Sequence, residues 1–124
     1  MAMKFYRCRH CGNVIEKLVD SKVPVVCCGE QMEELIPNKE GKSGDKFIPV
    51  VTQVDDTTIK IDVGSKAHAM LSEYGEGFVY VETESGGIRV VLKDKPEIEV
   101  CTCCAKPLAV YLYSKQHGLW MVEL

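Results

Sequence analysis

Cys8-Arg9-His10-Cys11-Gly12 and, further along, Val26-Cys27-Cys28-Gly29 are the two stretches that decide how this chain folds. Four thiolates in two tight pairs suit a single tetrahedral metal ion. The Cys8-x-x-Cys11 knuckle turns both sulfurs inward, and Gly12 stands where a tight turn needs an unhindered backbone. The directly adjacent pair Cys27-Cys28 closes the shell and forces a distorted backbone at the metal. With four protein sulfurs bound, no position stays open for a reactant, so such a site holds structure or passes electrons. Sulfur ligation alone does not separate zinc from iron. Two disulfides, or plain burial of the thiols, are the competing readings. Two knuckle-like pairs inside so short a segment favour the metal.

The chain has 124 residues, room for one ordinary domain or two small ones. Its first 36 residues are too few to build a core alone, so a metal has to hold them together. The remainder is long enough for a modest β-sandwich. Fifteen Lys and Arg against eighteen Asp and Glu give a net charge of −3 with no basic run, which argues against a nucleic-acid partner. No apolar stretch is long enough to span a membrane, and Met1-Ala-Met-Lys-Phe-Tyr6 has no signal-peptide core. Seven cysteines with no export signal fit metal binding in a reducing cytoplasm better than a disulfide framework.

Along the chain, Met3–Tyr6 and Asn13–Val19 read as short strands flanking the knuckle, and Val23–Val26 as an edge strand because of Pro24. Residues 37–46, polar and rich in Gly and Lys, read as a linker and loop. Beyond them the chain alternates on a two-residue period. Strands are expected at Ile48–Val54, Thr57–Val63, Phe78–Glu84, Ile88–Lys93, Glu97–Val100, Leu108–Tyr113 and Leu119–Leu124. Ile59, Ile61 and Val63 share a face, Asp55-Asp56 makes one turn, and Ser85-Gly86-Gly87 makes a hairpin turn. No amphipathic helix is expected, and the spacing suggests a β-sandwich.

Tyr6-Arg-Cys-Arg-His-Cys-Gly-Asn13 with Val26-Cys-Cys-Gly-Glu-Gln-Met32 closely resembles the desulforedoxin domain of the desulfoferrodoxins, which binds one iron through four cysteines. The second half resembles the superoxide reductase domain of the same family. The similar segments there are Asp45-Lys-Phe-Ile-Pro-Val50, Val63-Gly-Ser-Lys-Ala-His-Ala-Met70 and Tyr113-Ser-Lys-Gln-His-Gly-Leu-Trp120. The resemblance covers nearly the whole chain. It implies an all-β protein: a metal-stapled, rubredoxin-like desulforedoxin domain over 1–36, a linker and loop over 37–46, and an immunoglobulin-like β-sandwich over 47–124. It also implies a homodimer joined largely through the small domain.

In the family, the sandwich holds an iron with four equatorial histidines and one axial cysteine, and its open position takes superoxide. Carried over residue by residue, most of that site is missing. The histidine of the family's Glu-Lys-His-x-Pro loop is Phe47 here, and a second histidine is matched by Tyr74. The axial cysteine of Cys-x-x-His-Gly-x-Trp is Ser114. His68 and His117 are kept, so two of five ligands remain. A count agrees: the chain has three histidines, and His10 sits in the knuckle, so four imidazoles cannot be assembled. A serine hydroxyl stays protonated near neutrality and is a poor soft ligand. Lys46 matches the loop lysine that serves superoxide in the family, but here its neighbour is Phe47. Lys46, His68 and His117 are therefore read as vestigial.

Cys101-Thr102-Cys103-Cys104 lies outside the family pattern. These thiols precede the strand Leu108–Tyr113, whereas Ser114 and His117 follow it. The strand spans on the order of 20 Å at about 3.3 Å per residue, which places the cluster more than about 10 Å from His117. The cluster can be a soft-metal site, a redox disulfide, or small residues packed in a strand. The reading that results is a one-electron carrier with an iron held by Cys8, Cys11, Cys27 and Cys28, and a lost catalytic centre. Two others stay beside it: an active superoxide reductase with a remodelled iron site, and a zinc-stapled binding module. The redox partner protein is not legible.

Overall fold

The computed structural model describes residues 3–38, 49–64, 77–91, 95–103, 105–115 and 118–124. Among these the protein is all-β, with twelve strands and no helix. It divides into two compact units, Met1–Ile36 and Pro37–Leu124.

In the first unit, β1 (Phe5–Arg7) is the centre of a three-stranded antiparallel sheet, with β2 (Val14–Glu16) on one side and β5 (Glu33–Leu35) on the other. A separate hairpin pairs β3 (Val26–Cys27) with β4 (Glu30–Gln31). Among its described residues the apolar core is small: Phe5, Leu35 and Cys8 are the buried residues with apolar side chains. Polar contacts make up part of the deficit. Glu33 pairs with Arg7 at 3.2 Å and Arg9 at 3.1 Å, tying β5 to β1 and the knuckle. The Arg7 and Arg9 guanidinium groups hold the Glu33 carboxyl below its usual range. Of the expected strand Val23–Val26 only Val26 is in a strand, Val26–Cys27, beyond the stretch that Pro24 interrupts. β4 and β5 were not anticipated. They are short and charged, with no apolar alternation to reveal them.

Among the described residues, the second unit is an antiparallel sandwich of seven strands. One sheet has the order β10-β7-β6 and the other β12-β11-β8-β9. The strands are β6 (Val50–Gln53), β7 (Thr58–Asp62), β8 (Gly77–Thr83), β9 (Gly86–Val90), β10 (Glu97–Cys101), β11 (Pro107–Ser114) and β12 (Gly118–Glu123). Each anticipated strand of this half is present, and apart from the start at Glu97 each end is shifted by a residue or more. Ile48, Leu92 and Lys93 lie outside the described residues. The core follows from the two-residue period. Ile59, Ile61 and Val100 from one sheet, with Val63 just past β7, meet Val79, Val81, Val90, Val110 and Leu112 from the other.

Two local features differ from the sequence reading, and a third bears on the core. Pro37 and Asn38, assigned to the linker, belong to the second unit: Asn38 bridges Trp120, and its N–H donates to the Leu119 carbonyl at 2.8 Å. The β8–β9 turn is made by Glu84 and Ser85, not by the glycines, because Thr83 pairs with Gly86 and Glu82 with Gly87. The Thr83 hydroxyl fixes that turn, accepting from the Ser85 N–H at 3.2 Å and donating to the Gly86 carbonyl at 3.0 Å. Finally, β11 is buried on both faces. Val110 and Leu112 point into the sandwich, while Ala109, Tyr111 and Tyr113 are buried on the other side.

Candidate metal centre

Two turns in the first unit bring four sulfurs to one point. The knuckle closes between β1 and β2: the Cys8 N–H donates to the Asn13 carbonyl at 2.8 Å, and the Gly12 N–H to the Cys8 carbonyl at 3.1 Å. Gly12 takes a φ of 83°, a region that side chains rarely enter. The second pair sits on the β3–β4 hairpin. Val26 pairs with Gln31 and Cys27 with Glu30, so Cys28-Gly29 is a two-residue turn. Both turn residues have positive φ, 55° and 76°, as a type I′ turn requires. The expected backbone distortion is thus located at Cys28, in a left-handed conformation that costs roughly 1–2 kcal/mol for a residue with a Cβ. That conformation allows neighbouring residues to aim their sulfurs at the same place.

The Sγ atoms of Cys8, Cys11, Cys27 and Cys28 all lie within 4.8 Å of one another. Cys11 and Cys27 sulfurs are 3.6 Å apart, and those of Cys27 and Cys28 are 4.0 Å apart. These separations exceed an S–S bond of about 2.05 Å, and none of the four is in a disulfide. They bracket the edge of about 3.8 Å expected for a tetrahedron with metal–sulfur bonds of about 2.3 Å. Cys8 is buried, Cys27 half-buried, and Cys11 and Cys28 exposed, so one edge of the cluster faces solvent.

The electrostatics fit a cation. The Cys11 backbone N–H, 3.5 Å from the Cys8 sulfur, is the main cause that holds the Cys8 thiol down to about 6. Hydrogen bonds with the sulfurs of Cys11, Cys8 and Cys27 push Cys28 up to about 12, and Cys27 is raised by Cys11 and Cys8. Sulfurs this close keep shared protons unless a cation replaces them, and one divalent or trivalent ion relieves all four. His10 takes no part in this set. Its Nε2 lies 2.6 Å from Glu30 Oε2, and that hydrogen bond raises the imidazole above its ordinary value.

Of the sequence-predicted second site, Ser114 is the one position among the described residues. Lys46, Phe47, His68, Tyr74 and His117 lie outside the described residues. Ser114 ends β11, between Gly77 of β8 and Gly118 of β12. Cys101 ends β10, and Thr102 is bonded to Thr57, next to the opposite end of β11. Cys104 is also outside the described residues. Cys101 and Cys103 are exposed, which removes the reading of small side chains packed in a strand.

A cluster of four cysteine sulfurs on a small β unit, followed in the chain by an antiparallel sandwich, defines an all-β protein with a metal-binding cysteine cluster. Comparison with known proteins narrows the class. Residues 1–35 match the family described as desulfoferrodoxin, N-terminal domain. The chain is 31% identical over 122 residues to the desulfoferrodoxin of Syntrophotalea carbinolica, covering 98% of this chain and 96% of the relative. It is 32% identical over 122 residues to a desulfoferrodoxin homolog of Methanothermobacter thermautotrophicus, with 94% and 95% covered. The fold is similar to the crystal structure of the superoxide reductase from Treponema pallidum, with a TM-score of 0.73, 24% identity and 98% of both chains covered. The chain belongs to the desulfoferrodoxin family.

Proposed function

We propose that the protein is a one-electron carrier built on an iron–tetrathiolate centre, and that the superoxide-reducing centre of its family is lost from this chain. One observation carries the first part: Cys8, Cys11, Cys27 and Cys28 converge on a single point with tetrahedral spacing, leaving no protein-free position for a substrate. Iron bound there supplies a ferrous–ferric couple. The four residues come from two turns of fixed shape, so they hold one geometry in both charge states. The Cys11 N–H on the Cys8 sulfur at 3.5 Å and the Asn13 amide on the Cys27 sulfur at 3.7 Å favour the more negative, reduced state. The solvent-facing edge at Cys11 and Cys28 is the route for outer-sphere exchange.

The second part rests on ligand chemistry. Phe47 cannot bind a metal, and Tyr74 and Ser114 are poor substitutes for imidazole and thiolate on a redox iron. His68 and His117 alone do not make a five-ligand site. By resemblance, the proposal includes a homodimer, which sedimentation equilibrium tests. The decisive experiment is metal analysis of protein purified anaerobically from iron-replete cells, with visible absorption and a reversible one-electron titration. One iron per chain with such a titration is expected. Zinc alone favours the stapled binding module. A second redox-active iron with fast superoxide consumption favours a remodelled reductase.

A further inference from the structure

Cys101 and Cys103 present sulfurs 3.6 Å apart, the same separation as Cys11 and Cys27 within the four-cysteine centre. Both are exposed and neither is in a disulfide. The residue between them is the reason for their alignment. Thr102 is buried, its N–H donates to the Thr57 carbonyl at 2.7 Å, and its hydroxyl donates to the same oxygen at 3.3 Å. With Thr102 pointing inward, its two neighbours are directed outward on one side. Cys103 then adopts a φ of 53°, and the turn closes with the Ala105 N–H on the Thr102 carbonyl at 3.0 Å. Cys28 of the four-cysteine centre shares this left-handed conformation, at 55°.

We infer that Cys101 and Cys103 form a second, surface metal site: a bidentate dithiolate for a thiophilic divalent cation of the zinc or cadmium kind. Thiolate is the soft donor such ions select, and a 3.6 Å separation lies close to the edge of about 3.8 Å in a tetrahedral shell with bonds of about 2.3 Å. A two-coordinate ion in a linear arrangement needs sulfurs at about twice the bond length, roughly 4.6 Å, and fits less well. Binding displaces one proton from each thiol to solvent and leaves two positions of the cation to water or an added thiol. The buried, doubly anchored Thr102 makes the pair a preformed chelate rather than two independent side chains. It stands apart in sequence and unit from the iron-type centre and owes nothing to the family's catalytic ligands.

The test is a cadmium titration of the full-length, reduced Cys104→Ser chain freed of bound metal, in which the pair is the sole set of thiols outside the four-cysteine centre. Thiolate-to-cadmium absorption counts equivalents, and proton release is followed in weak buffer. Two equivalents per chain are expected, the first tight and the second releasing about two protons as two thiols ionise. Adding Cys101→Ser and Cys103→Ser is expected to abolish the second equivalent and leave the first, which also reports that the small unit is still folded. Cadmium-113 resonances of the unsubstituted chain give an independent reading: two environments are expected, of different sulfur count. A single equivalent before the two serine substitutions, or two equivalents after them, overturns the site. So does a single cadmium resonance at saturation.

Discussion

The Cys11 and Cys27 sulfurs stand 3.6 Å apart although they belong to two separate turns, the knuckle and the β3–β4 hairpin. Little apolar surface holds those turns together, since Phe5 and Leu35 are the main buried apolar side chains of the unit. The cluster must therefore carry much of the unit's stability, and structural metal binding in such small domains is worth about 10–16 kcal/mol. Cys28→Ser is expected to bleach the thiolate-to-metal absorption and raise hydrogen exchange across residues 3–36, while β6–β12 stay protected. Removing the metal with a chelator is expected to do the same. Retained protection of the small unit in the metal-free chain contradicts this.

Superoxide consumption is expected to be negligible. Phe47, Tyr74 and Ser114 stand where the family resemblance places metal ligands. Pulse radiolysis of the pre-reduced protein should show no fast bimolecular step, and a rate near the diffusion range of about 10⁸–10⁹ M⁻¹s⁻¹ contradicts the expectation. Phe47→His, Tyr74→His and Ser114→Cys together are expected to restore iron binding in the sandwich, read as a second equivalent of iron per chain.

The sandwich was legible because its signal is periodic. Ile59, Ile61 and Val63 alternate with polar residues, and each is buried. The cysteine cluster was legible because its spacing is itself the chemistry. Other features carry no such signal. β4 and β5 are written in charges, Glu30-Gln31 and Glu33-Glu34, and their pairing is set by the Cys28-Gly29 turn and by the Arg7–Glu33 ion pair. The β8–β9 turn was misplaced because glycine is read as a turn residue, whereas Gly87 lies in the strand under the ring of Tyr80. The alignment of Cys101 and Cys103 depends on Thr102 reaching Thr57, a long-range bond that local sequence does not announce.

Acid is expected to weaken the small unit partly through Asp20. Its carboxylate accepts from the Lys22 N–H at 2.9 Å, from Lys4 Nζ at 3.1 Å and from Lys17 Nζ at 3.2 Å. These contacts, the Lys22 backbone bond foremost, hold Asp20 well below the ordinary carboxylate range. A depressed folded-state value gives stability that is complete above the unfolded value of about 3.9 and is lost as pH falls through the folded one. Asp20→Asn should therefore lower the thermal midpoint of the small unit at neutral pH, with the difference from the unsubstituted chain shrinking as pH falls below about 4. A difference that grows on acidification has the wrong sign for this assignment.

Within the sandwich, the Tyr111 hydroxyl donates to Glu82 Oε1 at 2.8 Å, and both side chains are buried. Tyr111→Phe keeps the ring, with its edge contact to Tyr80 at 6.4 Å between centroids, and removes the hydroxyl alone. Leaving a buried acceptor without that donor costs roughly 1–3 kcal/mol. Urea unfolding should show that loss for Tyr111→Phe, and a smaller one when Glu82→Leu is added, because the apolar side chain leaves no buried acceptor unpaired. Equal losses in the two variants contradict the role assigned to the hydrogen bond.

The last expectation concerns Gly87. Its φ is not in the positive region, so its backbone admits any residue, yet a Cβ built there overlaps the hydroxyl and ring carbons of Tyr80. Tyr80 pairs with Arg89, and its ring lies diagonally over Gly87, covering the backbone that glycine leaves bare. A tyrosine ring is stiff, and moving it off Gly87 also disturbs its contact with Tyr111. Gly87→Ala is therefore expected to destabilise the sandwich by about 1–3 kcal/mol, the usual cost of forcing extra volume into a packed site. The same substitution in a Tyr80→Ser background should cost nothing measurable, because the overlap is gone. Denaturant unfolding of the two single variants and the double variant measures the coupling directly. If Gly87→Ala costs as much with serine at position 80 as with tyrosine, the aromatic ring is not what requires the glycine.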